Sequence, residues 1–363
     1  MVREKIGSLR PVFEVCLRVG TTATLALCLA AMSRGQTPAA TPKLIIYDAP
    51  GAGTNKYASP YEGTYGGKIN SEGAIAGDYW DDSGLVHGYL RVTDGTITSI
   101  DVPGALRTWV TGINGNGAIV GYYGLVSGDS GGFIRAPGGS FTTFEIPGST
   151  ATYTVGIDDQ GEVAGYYTDA RNAFVGYVRA TDGTINKFEA PGAGTRPGQG
   201  TSPNCMSPEG IIAGVYTDSS GVNHGFLIAP GGQFTSFDEP TIPIGINVEG
   251  AVVGEGAVVG GSFLRAPSGA VTAINVPGPN VVITNANGIN AVGFIVGSYI
   301  ANQTNGEPGT FAFMRRPEGD FVRFGVPGAG FYGTVAVAIN AEGIITGSYS
   351  DPGDVSHAFL VIP

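Results

Sequence analysis

The 363-residue chain carries 19 basic and 30 acidic residues, for a net charge of −11. So acidic and lysine-poor a chain repels phosphate backbones, which argues against nucleic acid as a partner. Its length exceeds what one ordinary two-layer core organises, which points to repetition.

Residues 1–35 read as an export signal: five basic and two acidic residues, an uncharged stretch TTATLALCLAAM (21–32), then small residues to Gly35. Twelve apolar or small residues are too few to cross a bilayer of about 30 Å as a helix. Leu25, Ala26 and Leu27 before Cys28 lack the small residue expected ahead of a lipidated cysteine. Cleavage after Gly35 would leave 14 basic and 28 acidic residues, with Cys205 as the sole remaining cysteine, so no intrachain disulfide is expected. The expected location is secreted, in the periplasm or at the cell surface. A short linker, 36–42, follows.

From Lys43 to Pro363 one unit recurs. Its first marker is KINSEG (from 68), GINGNG (112), GIDDQG (156), CMSPEG (205), GINVEG (245), GINAVG (288) and AINAEG (338), seven copies with a period of roughly 45 residues, the size of a four-stranded propeller blade. In every copy Asn, Asp or Ser stands three residues before a glycine, which predicts a tight hairpin. A second strand of the type AIVGYY (118–123) follows, with a mid-strand glycine at 77, 121, 165, 214, 254, 297 and 347 that predicts close approach of a backbone or ring. The third strand carries Tyr or Phe at 89, 133, 177, 226, 263, 313 and 359. The fourth closes on Pro103, Pro147, Pro191, Pro240, Pro277 or Pro327, which places it at the sheet edge and the first strand at the axis.

The last copy has only three strands. KLIIYDAPGAG (43–53) resembles the fourth strands KFEAPGAG (187–194) and RFGVPGAG (323–330), so the N-terminal segment is expected to complete it. The expected fold is all-β: a seven-bladed β-propeller, four antiparallel strands per blade, its last blade closed by the N-terminal strand. Copy 5 departs most, since GEGAVVGGSF (254–263) lacks the tyrosine and most of the loop.

The third-strand residues His357, Ala358 and Phe359, with variants HGY (87–89), HGF (224–226) and FAF (311–313), resemble the bacterial extracellular HAF-repeat family. The resemblance covers 43–363. It implies an exported protein and supplies no catalytic residues.

The turns from strand one to two and from three to four are short in every copy, whereas those from two to three and between copies vary. Both variable classes fall on one face, where repeat proteins commonly build binding surfaces. On that face lie Tyr57, Tyr61, Trp80, Arg107, Trp109, Tyr153, Arg196, Phe331 and Tyr332, candidates for stacking on and bonding to sugar rings. The competing reading is that these aromatics pack the loops.

Other motifs weigh less. GDSGG (128–132) copies a serine-protease nucleophile loop without its histidine context, so Ser130 is expected in a turn. His87, His224 and His357 share one third-strand slot, too dispersed for a common metal, and are expected to bond within their own blades. Arg91, Arg135, Arg179, Arg265 and Arg315 are expected to pack on aromatic neighbours or adjacent blades. Asp48, Asp101, Glu145, Glu189 and Asp238 read as edge-strand charge. Asp81, Asp82, Asp169, Asp218 and Asp351 read as turn formers rather than calcium ligands. GAGT (51–54, 192–195) precedes no helix and is no phosphate cradle, and the sequon at Asn302 matters only in a glycosylating host. No metal or cofactor is called for, and a monomer is expected. The leading expectation is a non-enzymatic module binding an extracellular glycan. A polysaccharide lyase or hydrolase with its site at the channel mouth is the alternative, and a structural cell-surface module with a protein partner a further one.

Overall fold

Each copy alternates apolar with small or polar residues between glycine-bearing turns, a period-two pattern that makes strands with two faces to bury. A computed structural model of the protein describes residues 42–55, 62–237, 241–256, 261–303 and 306–363; Tyr57, Tyr61, Asp238, Pro240 and the leader lie outside them. Among the described residues every regular element is a β-strand.

In copy 2, Arg107–Ile113, Ile119–Gly124, Ser130–Arg135 and Phe141–Phe144 form one antiparallel sheet in sequence order, and copies 5 and 6 repeat the arrangement. Copies 3 and 4 do likewise and are joined by one parallel pairing, Phe174 opposite Gly200. Ser356 opposite Gly63 joins copies 7 and 1 in the same way. Lys43–Tyr47 pairs antiparallel with Ser356–Ile362, Lys43 opposite Ile362 and Tyr47 opposite Ala358. The N-terminal segment thus takes the place left open in copy 7.

The hairpin glycines 73, 117, 161, 210, 250, 293 and 343 adopt φ of 78 to 93°, a region costly for residues with a Cβ. The polar marker before each of them accepts a hydrogen bond from the backbone N–H four residues on, as Asn340 Oδ1 does from Ile344 at 2.9 Å. Asparagine does more. Its Nδ2 donates to the marker carbonyl of the next copy: Asn70 to Asn114 at 3.0 Å, Asn114 to Asp158 at 2.9 Å, Asn247 to Asn290 at 3.1 Å, Asn290 to Asn340 at 3.0 Å and Asn340 to Asn70 at 3.3 Å. Asp158 and Ser207 accept their local N–H but make no such bond onward to the next marker; between copies 3 and 4 the backbone N–H of Asp159 bonds Pro208 O instead.

A second link uses buried threonine. Thr64, Thr108, Thr152, Thr201, Thr284 and Thr334 each accept, on Oγ1, the N–H of the residue before the fourth-strand proline of the preceding copy, as Val326 N does to Thr334 at 2.9 Å. The proline ends the ladder, and the threonine takes up the last free donor before it.

The apolar core lies between neighbouring sheets. Phe324 and Val326 of copy 6 pack with Phe359 and Ile345 of copy 7, and Tyr47 and Leu360 pack with Ile75 and Tyr89 of copy 1. The third-strand aromatics Tyr89, Phe133, Tyr177, Phe226, Phe263, Phe313 and Phe359 have no exposed surface. The mid-strand glycines make room for them: a Cβ on Gly121 would collide with the Phe133 ring and the Trp109 carbonyl. In copies 2 to 7 the first strand carries a bulge, at Thr111, Val155, Asn204, Ile244, Asn287 and Val337.

One expectation is corrected. Ser130 opens a strand rather than sitting in a turn, and its Oγ accepts the N–H of Thr152 at 3.4 Å.

Thr334→Val keeps shape but strands the buried Val326 N–H, and is expected to cost about 1–3 kcal/mol in urea unfolding. Asn340→Asp, which keeps the local acceptor but loses the donor to Asn70, is expected to lose less stability than Asn340→Ala, which loses both.

Candidate functional site

Because successive strands reverse, each first strand starts on the variable-loop face and ends at the short hairpin turn. On the variable face, Trp109 lies half-buried with its ring stacked on Tyr122 at 4.9 Å. Tyr122 meets Tyr153 edge-on at 5.2 Å, Tyr153 stacks on Tyr166 at 5.0 Å, and Tyr166 meets Phe174 edge-on at 5.6 Å. Two of the predicted residues, Trp109 and Tyr153, are thus brought into one five-ring series by Tyr122, which sequence reasoning assigned only to the second strand. Phe331 and Tyr332 form a separate pair, 59% and 63% exposed. Arg107 and Arg196 are exposed, and Trp80 ends Ile75–Trp80 opposite Gly63; none of the three joins the ring series.

Among the described residues, seven of the nine exposed large apolar side chains lie on this face: Leu106, Val126, Val222, Ile242, Val282, Phe331 and Tyr332.

Near Trp109, Asp78 occupies the second-strand position that Tyr122 and Tyr166 occupy in copies 2 and 3. Its Oδ1 accepts the Val110 N–H at 2.7 Å, and burial pushes its carboxyl up to about 7. Burial, then the charge of Asp78, raises the Tyr122 hydroxyl to about 12. Sequence pattern hid Asp78, because an acidic residue in a second strand carries no motif.

A cavity of about 630 Å³ runs along the axis, lined by the first strands of all the copies from mid-strand to the hairpin turns. Its charged lining residues are Lys68, Asp159 and Glu209. Lys68 is open to water within the lumen yet surrounded by protein, and desolvation lowers its ammonium below the usual lysine range. Burial pushes the Cys205 thiol up to about 12, so it stays protonated and unreactive.

The histidines bond within their own copies, as expected. His87 lies between Asp101 at 2.7 Å and Asp81 at 3.4 Å, and stacks on Tyr79. His357 lies between Asp48 at 3.0 Å and Asp351 at 3.7 Å, and stacks on Tyr349. His224 pairs with Asp218 and stacks on Tyr216. Asp48 and Asp101 therefore do more than charge an edge, since each fixes a histidine ring. Arg91, Arg179 and Arg265 lie over Tyr47, Phe144 and Phe237 of the preceding copy. Asp81, Asp169, Asp218 and Asp351 each accept two backbone N–H groups of their own loop. Among the described residues no three His, Cys, Asp or Glu side chains are grouped to hold a metal ion, and no helix is long and apolar enough to cross a membrane.

No protein-family model matches the chain, and no curated protein matches it. Solved structures do. A streptogramin B lyase aligns with a TM-score of 0.55 at 15% identity over 88% of this chain and 97% of that one. Virginiamycin B lyase from Staphylococcus aureus aligns at 0.55 and 14% over 89% and 99%, and a puromycin hydrolase at 0.53 and 13% over 84% and 53%. The likeness is one of fold: the chain is an all-β, β-propeller-like protein.

Asp78 also predicts a pH dependence. With its native pKa raised above the unfolded value, the proton it holds stabilises the fold at acid pH, and that contribution is lost as pH rises through about 7. Urea unfolding from pH 5 to 8 is expected to show a decline in the wild type that is shallower in Asp78→Asn.

Proposed function

We propose that the chain is an exported seven-bladed β-propeller of the HAF-repeat kind, closed by its N-terminal strand, that binds an extracellular glycan on its variable-loop face. Seven sequence copies support the blade count. The pairing of Lys43–Tyr47 with Ser356–Ile362, the Asn340–Asn70 bond and the apolar cluster spanning copies 7 and 1 support closure. Export rests on the composition of residues 1–35.

The observation that carries the ligand reading is the gathering of exposed apolar and aromatic side chains on one face, with Phe331 and Tyr332 more than half exposed. Rings held edge-to-face offer flat surfaces to sugar C–H groups, and the exposed Arg107 and Arg196 supply hydrogen-bond donors. Polysaccharide pull-down and a glycan array test it. Phe331→Ala and Tyr332→Ala are each expected to weaken binding about fivefold while leaving the melting temperature within a degree or two, at about 1 kcal/mol per stacked ring. Absence of binding to every glycan by the wild type would remove this function and leave the fold untouched.

One observation favours the lyase or hydrolase reading: Asp78, with a carboxyl poised near neutrality, lies close to Tyr122 and the ring series. If a polysaccharide is depolymerised, Asp78→Asn is expected to abolish turnover while binding persists. Turnover unchanged in that variant would exclude Asp78 as the acid.

A further inference from the structure

We propose that the axial cavity is a second binding site, separate from the variable-loop face, which takes a small organic monocarboxylate on Lys68. The position of Lys68 in the first strand is filled in the other copies by Gly112, Gly156, Cys205, Gly245, Gly288 and Ala338. Those small residues let neighbouring strands come together: a Cβ on Gly288 would stand 3.2 Å from the Ala338 Cα, and one on Gly245 3.2 Å from the Gly288 Cα. A long cationic side chain in this column has no packing role its counterparts share. It lines the lumen, as does the Cys205 thiol contributed by copy 4. Among the described residues no carboxylate pairs with it.

The Lys68 ammonium is hydrated but stands in a lumen walled by protein, where a single opposite charge is attracted more strongly than on an open surface. The walls define which anion. Val155, Ile244 and Val337 line the same cavity and suit an apolar body, while Thr111, Asn204 and Asn287 add polar groups. The volume of about 630 Å³ is that of a small-molecule site. A single cation matches a single negative charge, and Asp159 and Glu209, both exposed and also lining the cavity, disfavour anions in proportion to their charge, so the singly charged ones are penalised least.

Calorimetric titration at pH 7 with hexanoate, benzoate, their neutral amides and inorganic phosphate tests the site on the full chain. Either carboxylate is expected to bind, the amides not at all and phosphate more weakly. Lys68→Ala, which matches the native residue of copy 7, is expected to fold normally and bind roughly tenfold or more weakly. Carboxylate affinity is expected to fall as pH rises and Lys68 loses its proton. Phe331→Ala, on the other face, is expected to bind carboxylate as the wild type does. No binding of either carboxylate, tighter binding of phosphate or the amides, or unchanged affinity in Lys68→Ala would each overturn the assignment, whatever the glycan experiments give.

Discussion

A four-stranded sheet with two apolar faces cannot satisfy itself, so each copy depends on how it is held to the next. Two small polar contacts set that spacing. Among the described residues, a threonine hydroxyl near the variable face receives the N–H that precedes six of the terminal prolines, and near the hairpin turns an asparagine amide of five copies reaches the carbonyl of the following marker. Between these fixed points the aromatic of each third strand fills the gap left by a glycine. The backbone polar groups are bonded and the apolar groups buried by one and the same approach of neighbours.

This arrangement leaves the two ends of the channel chemically different. At the hairpin end, short turns form a rim around a lumen in which, among the described residues, Lys68 is the cation. At the other end, loops of unequal length carry rings, arginines and exposed aliphatic groups. Asp78 sits near that second end, raised toward neutrality by burial rather than by a neighbouring charge. Lumen and loops therefore differ in character, the one lined by first-strand residues with a lysine among them, the other broad and apolar.

Most of the architecture was legible in the sequence, because turn glycines, mid-strand glycines and terminal prolines each have one steric meaning and recur in step. The pairing of Lys43–Tyr47 with Ser356–Ile362 followed from the likeness of KLIIYDAPGAG (43–53) to the other fourth strands. The threonine links were not legible: Thr152 and Thr334 stand at differing distances from their prolines, and only the fold shows that they face the same donor. Nor was the second use of asparagine, since Asp158 and Ser207 satisfy the turn equally well and mask what the carboxamide adds. Of the surface residues, Trp109 and Tyr153 could be placed on the right face, but Tyr122 and Asp78, which complete their surroundings, look from sequence like ordinary strand positions. Lys68 was passed over because its counterparts in the column are small, uncharged residues, four of them glycine.

The two copies whose markers are aspartate and serine, copies 3 and 4, are neighbours, and the latter adjoins copy 5. Across that arc no carboxamide spans from one marker to the next. The carboxamide that crosses from copy 4 to copy 5 is instead that of Asn204, whose Nδ2 donates to Pro243 O at 3.1 Å, so this junction is tied within the first strands rather than at the turns.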